Sequence, residues 1–223
     1  MHKKGSEKDK KPWPTKDAME QVYQKKLWGD NASKFYSGSG SHQPEIVTPY
    51  ITAISSFLSS FTTPITVCDL GCGDFNVGKQ LVPYVQKYVA VDIVTDLINY
   101  NIDKFKDQKL TFQCLDIAVD NLPTADCALV RQVLQHLSNA EIQSILNKLA
   151  AYKYVVITEH VPNGLFTPNK EIISGQGTRL KKQSGVDLLK PPFNFKVKEK
   201  NEVLSLQLND GKGIIVTTIY TVF

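Results

Sequence analysis

The chain has 223 residues and a formal charge of +4, with 42% hydrophobic and 22% charged residues. That composition describes one globular domain with a sizeable core plus attachments, and no apolar run reaches the roughly 18 residues that a membrane span needs. The lysine-rich start, MHKKGSEKDKKPWP, lacks the apolar segment of a secretory signal, which predicts a cytoplasmic protein.

Residues 1–26 hold eight lysines against four acids, which accounts for the whole charge excess. Glu7, Asp9, Asp17 and Glu20 interrupt the lysines, so residues 1–16 read as a solvated, disordered basic arm. Arg131 and Arg179 are the only arginines against 24 lysines, which disfavours nucleic acid as a partner. Cys68, Cys72, Cys114 and Cys127 each sit in or beside an apolar run without zinc-site spacing. They read as reduced, mostly buried thiols, with no disulfide and no metal.

Residues 17–28 have the spacing of a short amphipathic helix, with Met19, Val22, Tyr23 and Leu27 on one side. The small residues from Phe35 to His42 follow, and Tyr36 with its neighbouring serines suits a lid over a ligand. Residues 17–43 thus form an N-terminal helix and lid segment, ahead of a main domain over 44–223. A helix is expected from Thr48, with Pro49 at its first position and Ile51, Ile54, Phe57, Leu58 and Phe61 inward.

Ile65 to Leu70 reads as a buried strand that breaks at Gly71 and Gly73 and resumes as a helix through Val77, Leu81 and Val82. Such a turn brings backbone N–H groups close to a ligand, and Asp69 adds an acceptor beside it. Further strands are expected at Lys87–Asp92, Leu110–Leu115, Asp126–Val130 and Tyr154–Thr158. Between them lie a helix capped at Thr95 and another opened by the capping box Ser138-Asn139-Ala140-Glu141. Residues 161–194 show little periodicity, and Phe195–Leu208 and Gly213–Val222 read as an antiparallel pair joined at Asn209-Asp210-Gly211. The fold class is therefore α/β: a Rossmann-like, mostly parallel sheet of seven strands with a C-terminal antiparallel hairpin and helices on both faces.

Ligands of such sheets bind beyond the carboxyl ends of the strands. Those ends deliver, in order, Asp69 with the glycines, Asp92, Asp116, Arg131-Gln132 and Glu159-His160. On these residues the stretch from 44 to 223 resembles the class I S-adenosylmethionine-dependent methyltransferases. Their first motif, an acid followed by alternating glycines, matches Asp69-Leu70-Gly71-Cys72-Gly73. The resemblance implies that Asp92, followed by Ile93, holds the ribose hydroxyls. It also implies that Asp116 faces the adenine amine, with Ile117 packing on the ring. Where the family often has a third glycine this chain has Phe75, with Gly78 further on, so backbone approach there differs. A dinucleotide site would need glycine where Asn76 stands.

S-adenosylmethionine is thus the expected cofactor. The absence of an Asn/Asp-Pro-Pro-aromatic motif after the fourth strand, and of a Pro-Cys nucleophile, disfavours methylation of base or amide nitrogens and of cytosine carbon in the family's manner. What remains is an O or N of a small or lipid-like molecule, or a protein side chain, with a small molecule the favoured acceptor. Candidate bases or orienting groups are His136, Glu159 and His160. Arg131 and the backbone to Gln132 suit the cofactor's carboxylate, and Tyr36 and Arg179 are candidate substrate contacts. A macromolecular acceptor recruited by the lysine arm and a non-catalytic S-adenosylmethionine-binding module are the competing readings. The oligomeric state is left open.

Overall fold

Seven strands form one sheet in the order β3-β2-β1-β4-β5-β7-β6. The computed structural model describes residues 13–31, 33–208, 211 and 213–222. The parallel strands are β1 (Thr66–Leu70), β2 (Lys87–Asp92), β3 (Leu110–Cys114), β4 (Cys127–Arg131) and β5 (Tyr154–Val161). β7 (Ile214–Thr221) runs antiparallel between β5 and β6 (Glu199–Gln207). The expected hairpin is present; Asn209 and Asp210 of its turn, and most of the expected arm (residues 1–12), lie outside the described residues.

Alternate residues of the parallel strands enter two different cores, as a sheet covered on both faces requires. Leu70, Val91 and Val130 face Ile142, Ile145 and Leu149 of α4 (Asn139–Leu149). Val67, Tyr88 and Leu129 face Tyr50, Ile54 and Leu58 of α2 (Pro44–Ser59). α1 (Thr15–Gln24) packs Met19 and Val22 against Val94 and Leu97, where α3 (Thr95–Lys104) begins. Each such buried aliphatic side chain contributes about 1.5–3 kcal/mol. The capping box of α4 forms as expected: Ser138 accepts from the Glu141 N–H while Glu141 accepts from the Ser138 N–H.

Four elements depart from expectation. α1 starts at Thr15, inside the stretch read as an arm. α2 starts at Pro44 rather than Thr48, with Pro44 at its first turn and Pro49 inside the helix. The helix expected after the glycine turn is two short 3-10 turns, Gly78–Gln80 and Val82–Tyr84. Gly78 and the N–H-less Pro83 stand where a continuous helix needs regular residues. β5 runs on through Val161, past the expected end at Thr158, because β7 pairs with it up to Ile214. Among the described residues no helix is long and apolar enough to cross a membrane. The cysteines are free; Cys68 and Cys127 are buried, whereas Cys114 is exposed.

Candidate active site

The carboxyl ends of β1, β2 and β4 and the loop after β3 open onto one cavity of about 340 Å³. Gly71 (φ +84°) and Gly73 (φ +56°) turn the chain away from β1 in a conformation that glycine adopts without strain. Both are also pressed by neighbours. An added Cβ would lie 2.3 Å from Val133 Cγ2 at Gly71 and 2.5 Å from Ser37 Oγ at Gly73. Phe75 takes a positive φ of 61° and is fully buried, its ring packed edge-on against Tyr88, Phe105 and Phe112. Gly78 makes room for that ring, since a Cβ there would sit 2.4 Å from Phe75 Cε2. The phenylalanine in place of a third glycine is thus a core residue, and the cavity wall beside it is backbone.

Three acids reach the cavity from successive strand ends. Asp69 accepts from Tyr88 Oη at 2.9 Å, and burial pushes its pKa up to about 7. Asp92 accepts from the Gly73 N–H (3.0 Å) on one oxygen and from the Val94 N–H (3.1 Å) on the other. Each oxygen therefore keeps a lone pair for a further donor, an arrangement suited to a vicinal diol. Burial raises the Asp92 pKa as well. Asp116 is oriented by the Ala118 N–H at 2.9 Å, with Ile117 buried beside it.

At the end of β4, Arg131 lies over the Tyr50 ring at 4.9 Å and donates to Ser41 Oγ and the Gly40 carbonyl. Gln132 has a φ of +55° and its N–H donates to the Thr158 carbonyl at 2.6 Å. Arg131 Nε and Gln132 Nε2 are buried donors without a hydrogen-bond partner among the described residues. Two orphaned donors on the cavity wall fit a carboxylate ligand.

His136 also lines the cavity, on the short 3-10 turn Leu134–His136. Its Nδ1 faces the Gly177 carbonyl at 3.1 Å, so Nδ1 carries the proton. Gln135 accepts from the His160 N–H through Oε1 and turns its amide nitrogen to His136 Nε2 at 3.2 Å. Burial lowers the His136 pKa to about 4, so the ring is neutral at neutral pH. Trp28 packs on it with ring centroids 5.1 Å apart.

The other candidates lie outside the lining. Glu159 accepts from the Leu134 and Gln135 N–H groups at 3.0 and 2.9 Å beneath the 3-10 turn, and burial pushes its pKa up to about 8. Arg179 is buried and donates to the carbonyls of Leu134, Leu137 and Lys170 and to Asn139 Oδ1. His160 stands on β5 beside Gly213. Tyr36 packs on His42 at 4.5 Å and against Gly29.

Several lining residues escaped the sequence reading. Tyr23, Trp28, Gln135, Glu141, Gln176 and Thr178 lie on the wall, and so does Asp74, which stands directly after the glycines and was the most legible of them. Glu141 does more than cap α4: it also accepts from Thr15 Oγ1 and Ser174 Oγ. It thereby fastens both α1 and the irregular segment after β5.

A cavity walled by strand-end acids and paired glycines, in a sheet whose seventh strand is inserted antiparallel, now has a match: residues 67–152 fit the family described as a methyltransferase domain. That stretch matches a methyltransferase domain, and the sheet around it has the Rossmann-like methyltransferase fold. Solved structures share the fold along most of this chain's length. The N-methyltransferase NodS from Bradyrhizobium japonicum WM9 superposes with a TM-score of 0.62 at 11% identity, covering 92% of this chain and 99% of that one. The magnesium protoporphyrin IX methyltransferase ChlM from Synechocystis PCC 6803, with bound SAM, gives 0.56 at 13%, covering 95% and 98%. The 1,6-didemethyltoxoflavin-N1-methyltransferase of Burkholderia thailandensis gives 0.57 at 14%, covering 92% and 85%. No curated protein matches the sequence. The methyl donor of this class is S-adenosylmethionine, and the acids, the glycine turn and the two orphaned donors fit its ribose, backbone-packed sulfonium arm and carboxylate.

Proposed function

We propose that this methyltransferase moves the methyl group of S-adenosylmethionine to an oxygen or nitrogen of a small-molecule acceptor. The observation that carries the reading is the cavity of about 340 Å³ at the strand ends, roofed by α1 and by Gln176 and Thr178. A ligand the size of the cofactor takes up most of such a volume, which suits a compact acceptor better than a macromolecular strand. The toxoflavin and protoporphyrin methyltransferases, which share this fold, are named for small-molecule acceptors.

In this reading Gly71, Cys72 and Gly73 supply the backbone wall, and Asp92, with Ile93 beside it, holds the ribose hydroxyls. Asp116 and Ile117 hold the adenine, Asp69 the ammonium, and Arg131 and Gln132 the carboxylate. When bound, the cofactor supplies a methyl group on a sulfonium that an acceptor lone pair displaces, the sulfur keeping the bonding electrons. The protein's share is then alignment and exclusion of water. His136 keeps its proton on Nδ1 and receives the Gln135 amide on Nε2, so it shapes the acceptor side with Trp28 rather than removing a proton. Glu159 and Arg179 hold the turn that carries His136, and His160 steadies Gln135 through its N–H. Tyr36 and the loop around it belong to the cofactor side.

The test is to incubate the protein with cell extract and methyl-labelled cofactor, then separate the products by mass. Label in the low-mass fraction supports the reading. Label in RNA or protein supports a macromolecular acceptor, and normal cofactor binding without any transfer supports a binding module. Calorimetry with S-adenosylhomocysteine tests the site itself: unchanged binding in Asp92→Ala would remove Asp92 from it.

A further inference from the structure

The loop of residues 37–42, just before α2, is fastened to the glycine turn. Its contacts gather on one residue of the glycine turn, Asp74, which is buried. The Asp74 carboxylate accepts from the Ser37 N–H at 2.9 Å and lies 2.6 Å from His42 Nε2. In return the Asp74 N–H donates to Ser37 Oγ at 2.8 Å, which also meets Tyr23 Oη at 3.0 Å. Asn76 Nδ2 donates to the Ser41 carbonyl at 2.8 Å, and Arg131 reaches Gly40 and Ser41 from the far side. Ser37 to Ser41 line the cavity together with Gly71, Gly73 and Asp92, with Ser37 pressed against Gly73. The loop therefore lies across the cofactor half of the cavity, tied at both ends to a single carboxylate.

We infer that residues 37–42 are a strap over the cofactor, and that Asp74 is the positioning residue that fastens it. The strap must come off Asp74 for donor to enter and demethylated product to leave. Its ties are protein-to-protein, so they are present with and without ligand. Loosening them raises the rates of entry and exit together and leaves the equilibrium constant nearly unchanged. A residue that merely shaped the glycine turn would instead weaken binding without speeding entry.

The inference rests on the donor assignment above, and the experiment separates the two. The probe is S-adenosylhomocysteine, followed by stopped-flow tryptophan fluorescence on the full chain, with calorimetry for affinity. In Asp74→Asn, which keeps an acceptor for the Ser37 N–H but loses the charge facing His42, association and dissociation both rise about tenfold. Ser37→Ala, which keeps the Asp74 carboxylate and its bond to the residue 37 N–H but removes the hydroxyl tie, shifts both rates the same way by a smaller factor and supplies the readout if Asp74→Asn does not fold. Binding with unchanged association rates in the variants that fold overturns the strap alone. Failure of the wild type to bind overturns the strap and the donor assignment together.

Discussion

Asp69 is a carboxyl group whose ionisation the fold opposes. Its pKa is about 7 in the folded chain, against about 4 for an unfolded aspartate. Between those values the native state binds the additional proton. Stability from this group is present below about pH 4 and is lost as pH rises through 7. The cofactor carries a sulfonium and an ammonium, which favour the ionised form of Asp69 and of Asp92, whose pKa is also raised. We therefore predict that cofactor affinity rises several-fold from pH 5.5 to 7.5 and that binding releases protons. Calorimetry in two buffers with different ionisation heats reads that release, and proton-neutral binding would refute the prediction. His136, with a pKa near 4, contributes no step to the rate profile around pH 6.5; a step there that disappears in His136→Asn would return the base role to it.

The 3-10 turn Leu134–His136 is held by two buried polar side chains: Glu159 accepts from the Leu134 and Gln135 N–H groups, and Arg179 donates to the Leu134 carbonyl and to that of Leu137 just after the turn. Glu159→Gln turns an amide NH2 toward one of the two backbone donors, and Arg179→Lys cannot reach four acceptors. Each should cost about 1–3 kcal/mol in chemical denaturation, with loss of activity following loss of the turn. Gly78→Ala sets a methyl against Phe75 and should cost a similar amount, about 1–3 kcal/mol, by thermal unfolding; an unchanged melting temperature would show that the ring can move.

These elements also show what the sequence disclosed. Strand ends with acids are legible because apolar runs and their terminal residues are local, and the capping box at Ser138 is a local motif. Arg179 was unreadable for the opposite reason. Its partners lie nine to 45 positions away, so an arginine in an irregular stretch looked like a surface anion contact. The missing helix after the glycine turn was misread because apolar spacing survived while Gly78 and Pro83 broke its backbone.

At the scale of the whole molecule, the cavity's roof is assembled from segments distant in sequence. Thr15 of α1 and Ser174 after β5 meet on Glu141, and Gln176 donates to the Leu27 carbonyl at 3.0 Å. Removing residues 1–12 leaves that junction intact, whereas removing 1–16 takes away Thr15. We predict that the shorter truncation retains small-acceptor activity and the longer one loses about tenfold in kcat/KM. Equal loss in both would assign the lysine-rich arm a direct part in recognising the acceptor.

β7 pairs with β5 over eight residues on one side and with β6 on the other. It follows β6 in the chain and yet sits between β5 and β6 in the sheet. During synthesis, β1 to β5 emerge with the free edge of β5 unpaired, and β6 has nothing to pair with until residues 214–221 have left the ribosome. The nascent chain thus displays an apolar strand edge until residues 214–221 arrive, and an unpaired edge of that kind is open to aggregation in the interval.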